Sequence, residues 1–343
     1  MQQSGDLKEF INAFENKLEF VVIDDISTEL YCKRYLSHLL QHRKYYLAIY
    51  TDVLNKLIQH SISKKENILL IDFGAGNGML GIFAKFCGFK KVFLNDIDEK
   101  FVHASEKLAA QLDVKIDGYI TGDITAVQTY CKNEPPTAII GTDVIEHIYK
   151  PEDFFSALQQ MNPSMVSVFT TASNPANYFK VRALKKMQLK DELKGGTPGD
   201  HILFGENLLE PFLKIRKQLI RKHTDKLSGA EILALAKATR GMNEQDIIVA
   251  VDQYKLSGKM PVPAAETNTC NPLNGSWTER ILPLNAYISL YVSAGFSCKF
   301  YAGFYNDYES GINNFVKKLL NACIVLLGNR ISPYIVIVGF KNN

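Results

Sequence analysis

Short apolar runs alternate with amphipathic stretches along the first half of the chain. Residues 68–72 form one such run, four apolar residues closed by an acid, and glycines follow at alternate positions, Gly74, Gly76 and Gly78. A short continuous apolar run that ends in glycine is typical of a strand buried on both faces. Residues 79–86 then show a helical pattern, whose first N–H groups would face the same crevice as the glycines. This segment predicts a strand, a bare backbone loop and a helix, the usual beginning of a nucleotide-binding sheet.

The same alternation continues beyond this unit. Further strands are predicted at 91–97, 114–120, 137–144 and 164–171, with helices at 98–112, 125–132 and 151–161. Near the end of the chain, strands at 296–304 and 332–340 follow helices at 284–295 and 312–327. Strands that alternate with helices at this spacing indicate βαβ units and a parallel sheet, so the fold class is α/β and Rossmann-like.

Four segments divide the chain. Residues 1–60 are predicted to be helical, 61–175 to form the Rossmann-like core, 176–282 to be a mostly helical insert, and 283–343 to complete the core sheet. The N-terminal helix that carries Tyr45, Tyr46 and Tyr50 either packs on the sheet edge or closes as a lid over a ligand, and it could do both. The insert is long enough to be a cap over an acceptor or an arm for a homodimer.

Composition excludes several classes of function. The 343 residues include 46% hydrophobic and 22% charged residues, with a net charge of +3. This charge is too small to indicate nucleic-acid binding, although the basic run at 214–222 is a docking candidate if it is not a solvated helix face. The six cysteines are scattered and indicate reduced thiols in the cytoplasm. We find no signal peptide, no apolar stretch long enough for a membrane span, and no metal-ligand spacing.

Acidic residues follow the predicted strands in a fixed order. The loop reads Asp-x-Gly-x-Gly-x-Gly, which differs from the dinucleotide pattern G-x-G-x-x-G. Asp96 ends the second strand, Asp123 follows the third, and the fourth ends in Asp-Val-x-Glu-His from Asp143 to His147. Together these strings resemble the class I S-adenosylmethionine (SAM) dependent methyltransferases. The last string is similar to the one in methyltransferases related to ubiquinone-biosynthesis O-methyltransferases.

The resemblance implies a seven-stranded sheet whose last strand runs antiparallel between the fifth and sixth, and SAM as the cofactor. Asp96 stands where α/β nucleotide sites place an acid on ribose hydroxyls, while Asp98 is the alternative acid or a helix cap. In such a family Asp123 would accept from the adenine amino group and Ile124 would lie against the ring, unless Asp123 only forms an Asx turn. The predicted cofactor site comprises Asp72, Phe73, Gly74, Ala75, Gly76, Asn77, Gly78, Asp96, Ile97, Asp123, Ile124 and Asp143.

The expected reaction is in-line transfer of a methyl group to the oxygen or nitrogen of a small-molecule acceptor. An acceptor that loses a proton needs a base, and His147 is the first candidate, although it could instead only hydrogen-bond locally. His201 is the second candidate, and Glu146 could orient either histidine. The loop at 267–272 and Trp277 either line an acceptor pocket or anchor the insert. A macromolecular methyltransferase and a SAM-binding protein without catalysis are the alternatives.

Overall fold

The computed structural model describes residues 7–196, 210–308 and 311–341. The chain divides into two compact units. The first comprises Met1–Ile145, Pro151–Thr171 and Leu284–Asn343, and the second comprises Glu146–Lys150 and Ala172–Pro283. No helix in the described part of the chain is both long enough and apolar enough to cross a membrane.

A seven-stranded sheet forms the centre of the first unit. The strands are β1 (Leu69–Phe73), β2 (Lys91–Asp96), β3 (Gly118–Thr121), β4 (Ala138–Thr142), β5 (Val166–Thr171), β6 (Ser297–Ala302) and β7 (Ile335–Phe340). Their order is β3-β2-β1-β4-β5-β7-β6. The first five are parallel, and β7 runs antiparallel to both β5 and β6, with Val168 opposite Val338. This is the predicted sheet of the class I methyltransferase fold, which is therefore confirmed.

Helices flank this sheet, and most of them are amphipathic segments that bury an apolar side. They are α5 (Met79–Phe86), α6 (Glu99–Gln111), α7 (Ile124–Tyr130), α8 (Pro151–Met161), α13 (Leu284–Ser293) and α14 (Ile312–Leu327). Every residue of β1 and β5 is buried, as expected for central strands covered on both faces. The largest differences from the predicted bounds are at β3, which begins at Gly118 rather than at residue 114, and at β7, which begins at Ile335 rather than at residue 332.

The N-terminal region is helical, as predicted. It contains α1 (Leu7–Leu18), α2 (Ile23–Ile26), α3 (Leu30–Gln41) and α4 (Arg43–His60). Phe14 of α1 packs on Phe83 and Phe86 of α5, with ring centroids 5.1 and 5.2 Å apart. The fully buried Leu54 and Leu57 of α4 belong to the same hydrophobic core as the sheet. The packing role of α4 is thus confirmed.

The second unit is mostly helical and has its own core. It contains α9 (Tyr178–Leu193), α10 (Phe212–His223), α11 (Gly229–Ala238) and α12 (Glu244–Ser257). Ile220, Leu235 and Val251 bring α10, α11 and α12 together in this core. The basic run at 214–222 is not a single solvated face, because Arg216 is fully buried and its Nη2 pairs with the carboxylate of Glu192.

Candidate active site

The loop after β1 has a conformation that requires glycine. Gly74, Gly76 and Gly78 have φ of 66°, 55° and 79°, a region that residues with a Cβ rarely adopt. A Cβ on Gly76 would lie 2.8 Å from the ring of Tyr35, and one on Gly74 would lie 2.4 Å from a methyl of Val144. Both the backbone conformation and the close packing therefore explain why these positions are glycines without a side chain.

Several N–H groups of this loop have partners within the first unit. Ala75 N donates to Asn95 O at 2.8 Å, Gly76 N to Asp96 Oδ2 at 2.8 Å, and Gly78 N to Ala75 O at 2.8 Å. These three N–H groups are therefore bonded within the protein. Gly74 and Ala75 are the most accessible residues of the loop, and both are half-buried.

Asp96 fixes the loop from the end of β2. Its side chain is 9% exposed, Oδ2 accepts from Gly76 N, and Oδ1 accepts from Asp98 N at 3.0 Å. Burial raises the pKa of this carboxyl, and the backbone hydrogen bonds oppose that rise. The next residue, Ile97, is 74% exposed although it is apolar. A carboxylate with an exposed apolar side chain beside it suits a sugar that carries an aromatic base.

Asp98 has the capping role that the sequence offered as an alternative. Its carboxylate accepts from Lys100 N at 2.9 Å and begins α6. Of the two acids, only Asp96 contacts the glycine loop in these hydrogen bonds.

Three predicted cofactor residues face the interior of the unit. Asp72 is buried and its Oδ2 accepts from Gly81 N at 2.8 Å, which ties β1 to α5. Burial raises the pKa of Asp72 to about 7. Phe73 is buried against Phe154, and Asn77 is buried and donates to Cys32 O at 3.2 Å. Their observed contacts position the loop.

Asp123 follows β3 and caps α7. Its Oδ1 accepts from Thr125 N at 2.9 Å and from Ala126 N at 3.4 Å. The Asx-type role is therefore present, while the side chain stays exposed and Ile124 is half-buried. A contact of either residue with adenine stays a prediction.

Asp143, after β4, lies among tyrosines from the N-terminal helices. Its φ is +50°, which is unusual for a residue other than glycine, and its N–H donates to Thr170 O at 3.0 Å. Burial and then the charge of Asp143 raise the pKa of Tyr46 to about 12, and the same two causes raise the pKa of Tyr35. Burial and then the charge of Asp96 raise the pKa of Tyr31.

The charge of Asp96 also raises the pKa of Tyr35, so both acids act on this phenol. The sequence singled out Tyr46 and its helix but missed Tyr31 and Tyr35. Only the helical spacing of aromatics from residue 31 to 46 could have indicated them.

His147 belongs to the second unit and has a defined tautomer. Its Nδ1 lies 2.7 Å from the carbonyl oxygen of Trp277, which can only accept, so Nδ1 carries a proton and Nε2 is bare in the neutral ring. Glu279 Oε1 lies 3.8 Å from Nε2, and Glu279 Oε2 accepts from Ser173 Oγ at 2.9 Å. Ligand atoms of Glu146, His147 and Glu279 lie within 4.8 Å of one another, a spacing that could hold a metal ion.

Glu279 was missed by the sequence analysis because it lies far along the chain from His147. Glu146 is buried beside it. His201 lies outside the described residues.

Trp277 anchors its loop rather than standing open to solvent. The side chain is buried, Nε1 donates to Tyr149 O at 3.1 Å, and the two rings stack with centroids 6.3 Å apart. Tyr149 in turn donates to Asp246 Oδ2 at 2.6 Å and accepts from Asn243 N at 2.9 Å. The anchoring role is thus present for Trp277.

Known structures resemble the chain only distantly. No family model and no curated protein matches it. A candidate SAM-dependent methyltransferase from Listeria monocytogenes is 12% identical, with 86% of this chain and 98% of that chain covered and a TM-score of 0.42.

The SAM-dependent methyltransferase from Mesorhizobium loti is 10% identical, with 84% and 96% covered and a TM-score of 0.40. Magnesium protoporphyrin IX methyltransferase (ChlM) from Synechocystis PCC 6803, with bound SAH, is 18% identical, with 54% and 74% covered and a TM-score of 0.33. At these values the fold class rests on the strand order given above, and the resemblance to ubiquinone-biosynthesis enzymes stays a prediction.

Proposed function

We propose that the protein is a SAM-dependent methyltransferase that acts on a small-molecule acceptor. The observation that carries the proposal is the glycine loop at the exit of β1, clamped by the Asp96 carboxylate at the exit of the neighbouring strand β2. In open α/β sheets ligands bind in the crevice outside the carboxyl ends of the strands. Gly74 and Ala75 are the partly exposed residues of this loop, so a ligand would meet the backbone there.

The residues present fit the adenosine part of SAM. Asp96 can still accept from ribose hydroxyls, since a carboxylate has about four lone-pair directions and backbone N–H groups of Gly76, Ile97 and Asp98 use three of them. Ile97 offers an exposed apolar surface to the base, and Asp123 offers an exposed acceptor. Asp143 places a carboxylate next to a row of phenols, and both groups attract a cation. SAM, when bound, supplies a methyl group on a positively charged sulfur.

The acceptor chemistry is assigned to His147. Its bare Nε2 can take the proton that a hydroxyl or amine acceptor loses, and Nδ1 stays bonded to the Trp277 carbonyl. Glu279 would then face the imidazolium at 3.8 Å and stabilise the charge. The buried Arg216 weakens the case for α10 as a docking face for RNA or protein.

Titration calorimetry with SAM and with S-adenosylhomocysteine tests the proposal. We expect saturable binding of both by the full chain. The variant Asp96→Asn should bind SAM at least about tenfold more weakly, about 1.4 kcal/mol, because it loses the charge-assisted contact to ribose and one of the two backbone hydrogen bonds by which the side chain holds the loop.

Asp98→Ala is the matched control. It removes only the α6 cap, which should lower stability by about 1 kcal/mol and leave the affinity for SAM unchanged. Absence of binding by the folded wild type would refute the proposal. Equal affinities in wild type and Asp96→Asn would refute the assigned ribose contact.

A further inference from the structure

Helix α14 carries a row of exposed apolar side chains along one side. The row advances by alternating steps of three and four residues and comprises Ile312, Phe315, Leu319, Ala322 and Leu326, which we call the α14 seam. All five residues are exposed to solvent, and Ile312 and Leu326 are 81% and 87% exposed. Because such steps bring side chains to the same side of a helix, the seam is a continuous apolar strip.

The helix is held to the first unit by the side that lies away from the seam. The half-buried residues on that side are Asn314, Lys317, Leu320, Asn321 and Ile324. Asn321 fixes the orientation, since its Oδ1 accepts from Tyr305 N at 2.7 Å and its Nδ2 donates to Tyr305 O at 3.0 Å. A surface helix normally turns its apolar stripe towards the core, so the outward direction of the seam calls for a partner.

The spacing of the seam is typical of a helix that packs against another helix. Alternating steps of three and four residues are the a and d positions of a heptad, and a stripe restricted to these positions is the narrow seam of a helix pair. No seam position carries a charge or a hydrogen-bonding side chain. The pattern therefore favours a helical occupant.

We propose that α14 pairs with α14 of a second copy of the chain, in antiparallel orientation about a two-fold axis. A two-fold interface uses the same patch on both copies, so this patch must be complementary to itself. An uncharged seam meets this condition, because apolar side chains of one copy can insert between those of the other.

Charges beyond the two ends of α14 select the antiparallel orientation. In the sequence the acids Asp307 and Glu309 precede the helix, and Arg330 follows it. An antiparallel pair brings Asp307 of each copy towards Arg330 of the other, whereas a parallel pair brings like charges together. The helix dipoles also attract each other when the helices are antiparallel. The segment is therefore complementary to itself in charge as well as in shape.

The exposed apolar area of α14 suits a weak dimer. Besides the seam, Val316, Val325 and Leu327 are exposed. Burial of one large apolar side chain removes roughly 60–120 Å² from water, so these residues and the seam could bury at most roughly 800 Å² on each copy. A standard interface buries about 800 Å² on each partner, and weak complexes bury less. We therefore expect a dimer that dissociates on dilution.

Sedimentation velocity of the full chain tests the proposal. We expect a monomer near 1 µM and a dimer near 100 µM, that is, a dissociation constant of about 10 µM. Leu319→Glu places a charge at the middle of the seam, where the two copies would face each other with like charges. It should raise the dissociation constant of the dimer at least about tenfold.

Leu256→Glu is the matched control. Leu256 is also an exposed leucine, but it lies on α12 of the second unit, so this variant should dimerise as wild type. Circular dichroism shows whether each variant is folded.

Charge reversal tests the orientation. Asp307→Arg and Arg330→Asp should each weaken the dimer by about two- to fivefold, and the double variant should regain the wild-type affinity, because opposite charges meet again. In a parallel pair neither single reversal would weaken the dimer, since like charges meet before and after each change. Unchanged affinity in both single variants would therefore overturn the antiparallel arrangement.

A wild type that stays monomeric near 100 µM overturns the proposal, as does wild-type dimerisation by the folded Leu319→Glu variant. Sedimentation of a monomeric wild type with phospholipid vesicles, lost in Leu319→Glu, would assign the seam to a lipid surface instead. None of these outcomes depends on whether SAM binds.

Discussion

Asp72 and Asp96 are buried carboxylates, and both accept hydrogen bonds from backbone N–H groups of the protein. Asp72 accepts from Gly81 N and Asp96 accepts from Gly76 N, so the two acids hold the helix start and the loop tip respectively. Burial raises the pKa of both, and the charge of Asp96 adds to the effect on Asp72. A carboxylate in this position stabilises the loop by a hydrogen bond and opposes folding by its buried charge.

The pH dependence of stability should reveal Asp72. Its pKa is about 7 in the folded chain and 3.8 ordinarily, so between pH 4 and 7 the folded state holds more protons than the unfolded state. The free energy of unfolding therefore falls as pH rises through this window, by up to about 1.4 kcal/mol for each pKa unit of the shift. Asp72→Asn has no charge and its Oδ1 can still accept from Gly81 N. Urea denaturation at pH 5 and pH 8 should show a smaller loss of stability for the variant, whereas equal losses would contradict this account of Asp72.

At the scale of single elements, α9 and α10 are joined by a buried ion pair. Glu192 of α9 pairs with Arg216 of α10, and its second oxygen accepts from Thr269 Oγ1 at 2.8 Å. Arg216 Nε also donates to Ala236 O at 2.7 Å in α11. Four segments of the second unit, the three helices and the loop that carries Thr269, thus depend on two buried charges. Removal of one charge should therefore be more harmful than removal of both.

Arg216→Met should destabilise the second unit by about 3–5 kcal/mol, because it leaves the Glu192 carboxylate buried without its cation, with Thr269 Oγ1 still donating to it. The double variant Glu192→Met/Arg216→Met should regain at least half of that loss, since no charge is left behind. Urea denaturation can follow the fluorescence of Trp277, the one tryptophan, which lies in this unit. Lys217→Met, a change of a neighbouring half-buried cation, is the control and should cost little. A double variant as unstable as Arg216→Met would show that packing, not charge, sets the cost.

Elements that depend on local pattern were predictable from the sequence. Apolar runs in the sequence indicate the strands β1, β2, β4 and β5. The three glycines after β1 indicate a loop with positive φ. Contacts between distant segments were not predictable, because no local pattern encodes a partner far along the chain. The sequence placed Arg216 in a run of cations that could be a solvated helix face. No sequence pattern indicated that Glu279 lies near His147. The periodicity of α14 identifies its apolar side but not whether that side faces the core or the solvent.

For the molecule as a whole, the residues named in the proposal belong to two different compact units. Asp96, Asp143 and the glycine loop belong to the first unit, which contains the sheet and the proposed cofactor residues. His147 and Glu279 belong to the second, although His147 follows β4 by only a few residues in the chain. Each unit has its own hydrophobic core. Cofactor affinity and turnover should therefore respond separately to substitutions in the two units.

His147→Asn tests this separation. Asparagine can place an N–H donor near the position of Nδ1 and keep the bond to the Trp277 carbonyl, but it has no equivalent of the bare Nε2. The affinity for SAM should stay within about twofold of wild type. Release of S-adenosylhomocysteine, measured with whichever compound of a phenol and amine panel gives turnover, should fall about 10²- to 10⁴-fold, as expected when a general base is lost.

His223→Gln is the control. It changes another histidine of the second unit, whose Nε2 lies 2.9 Å from Asp252 Oδ1, and it should alter neither the affinity for SAM nor the turnover. Wild-type turnover by His147→Asn would show that the proton goes elsewhere, and a loss of SAM affinity equal to the loss of turnover would show that His147 acts on the cofactor site and not on the acceptor.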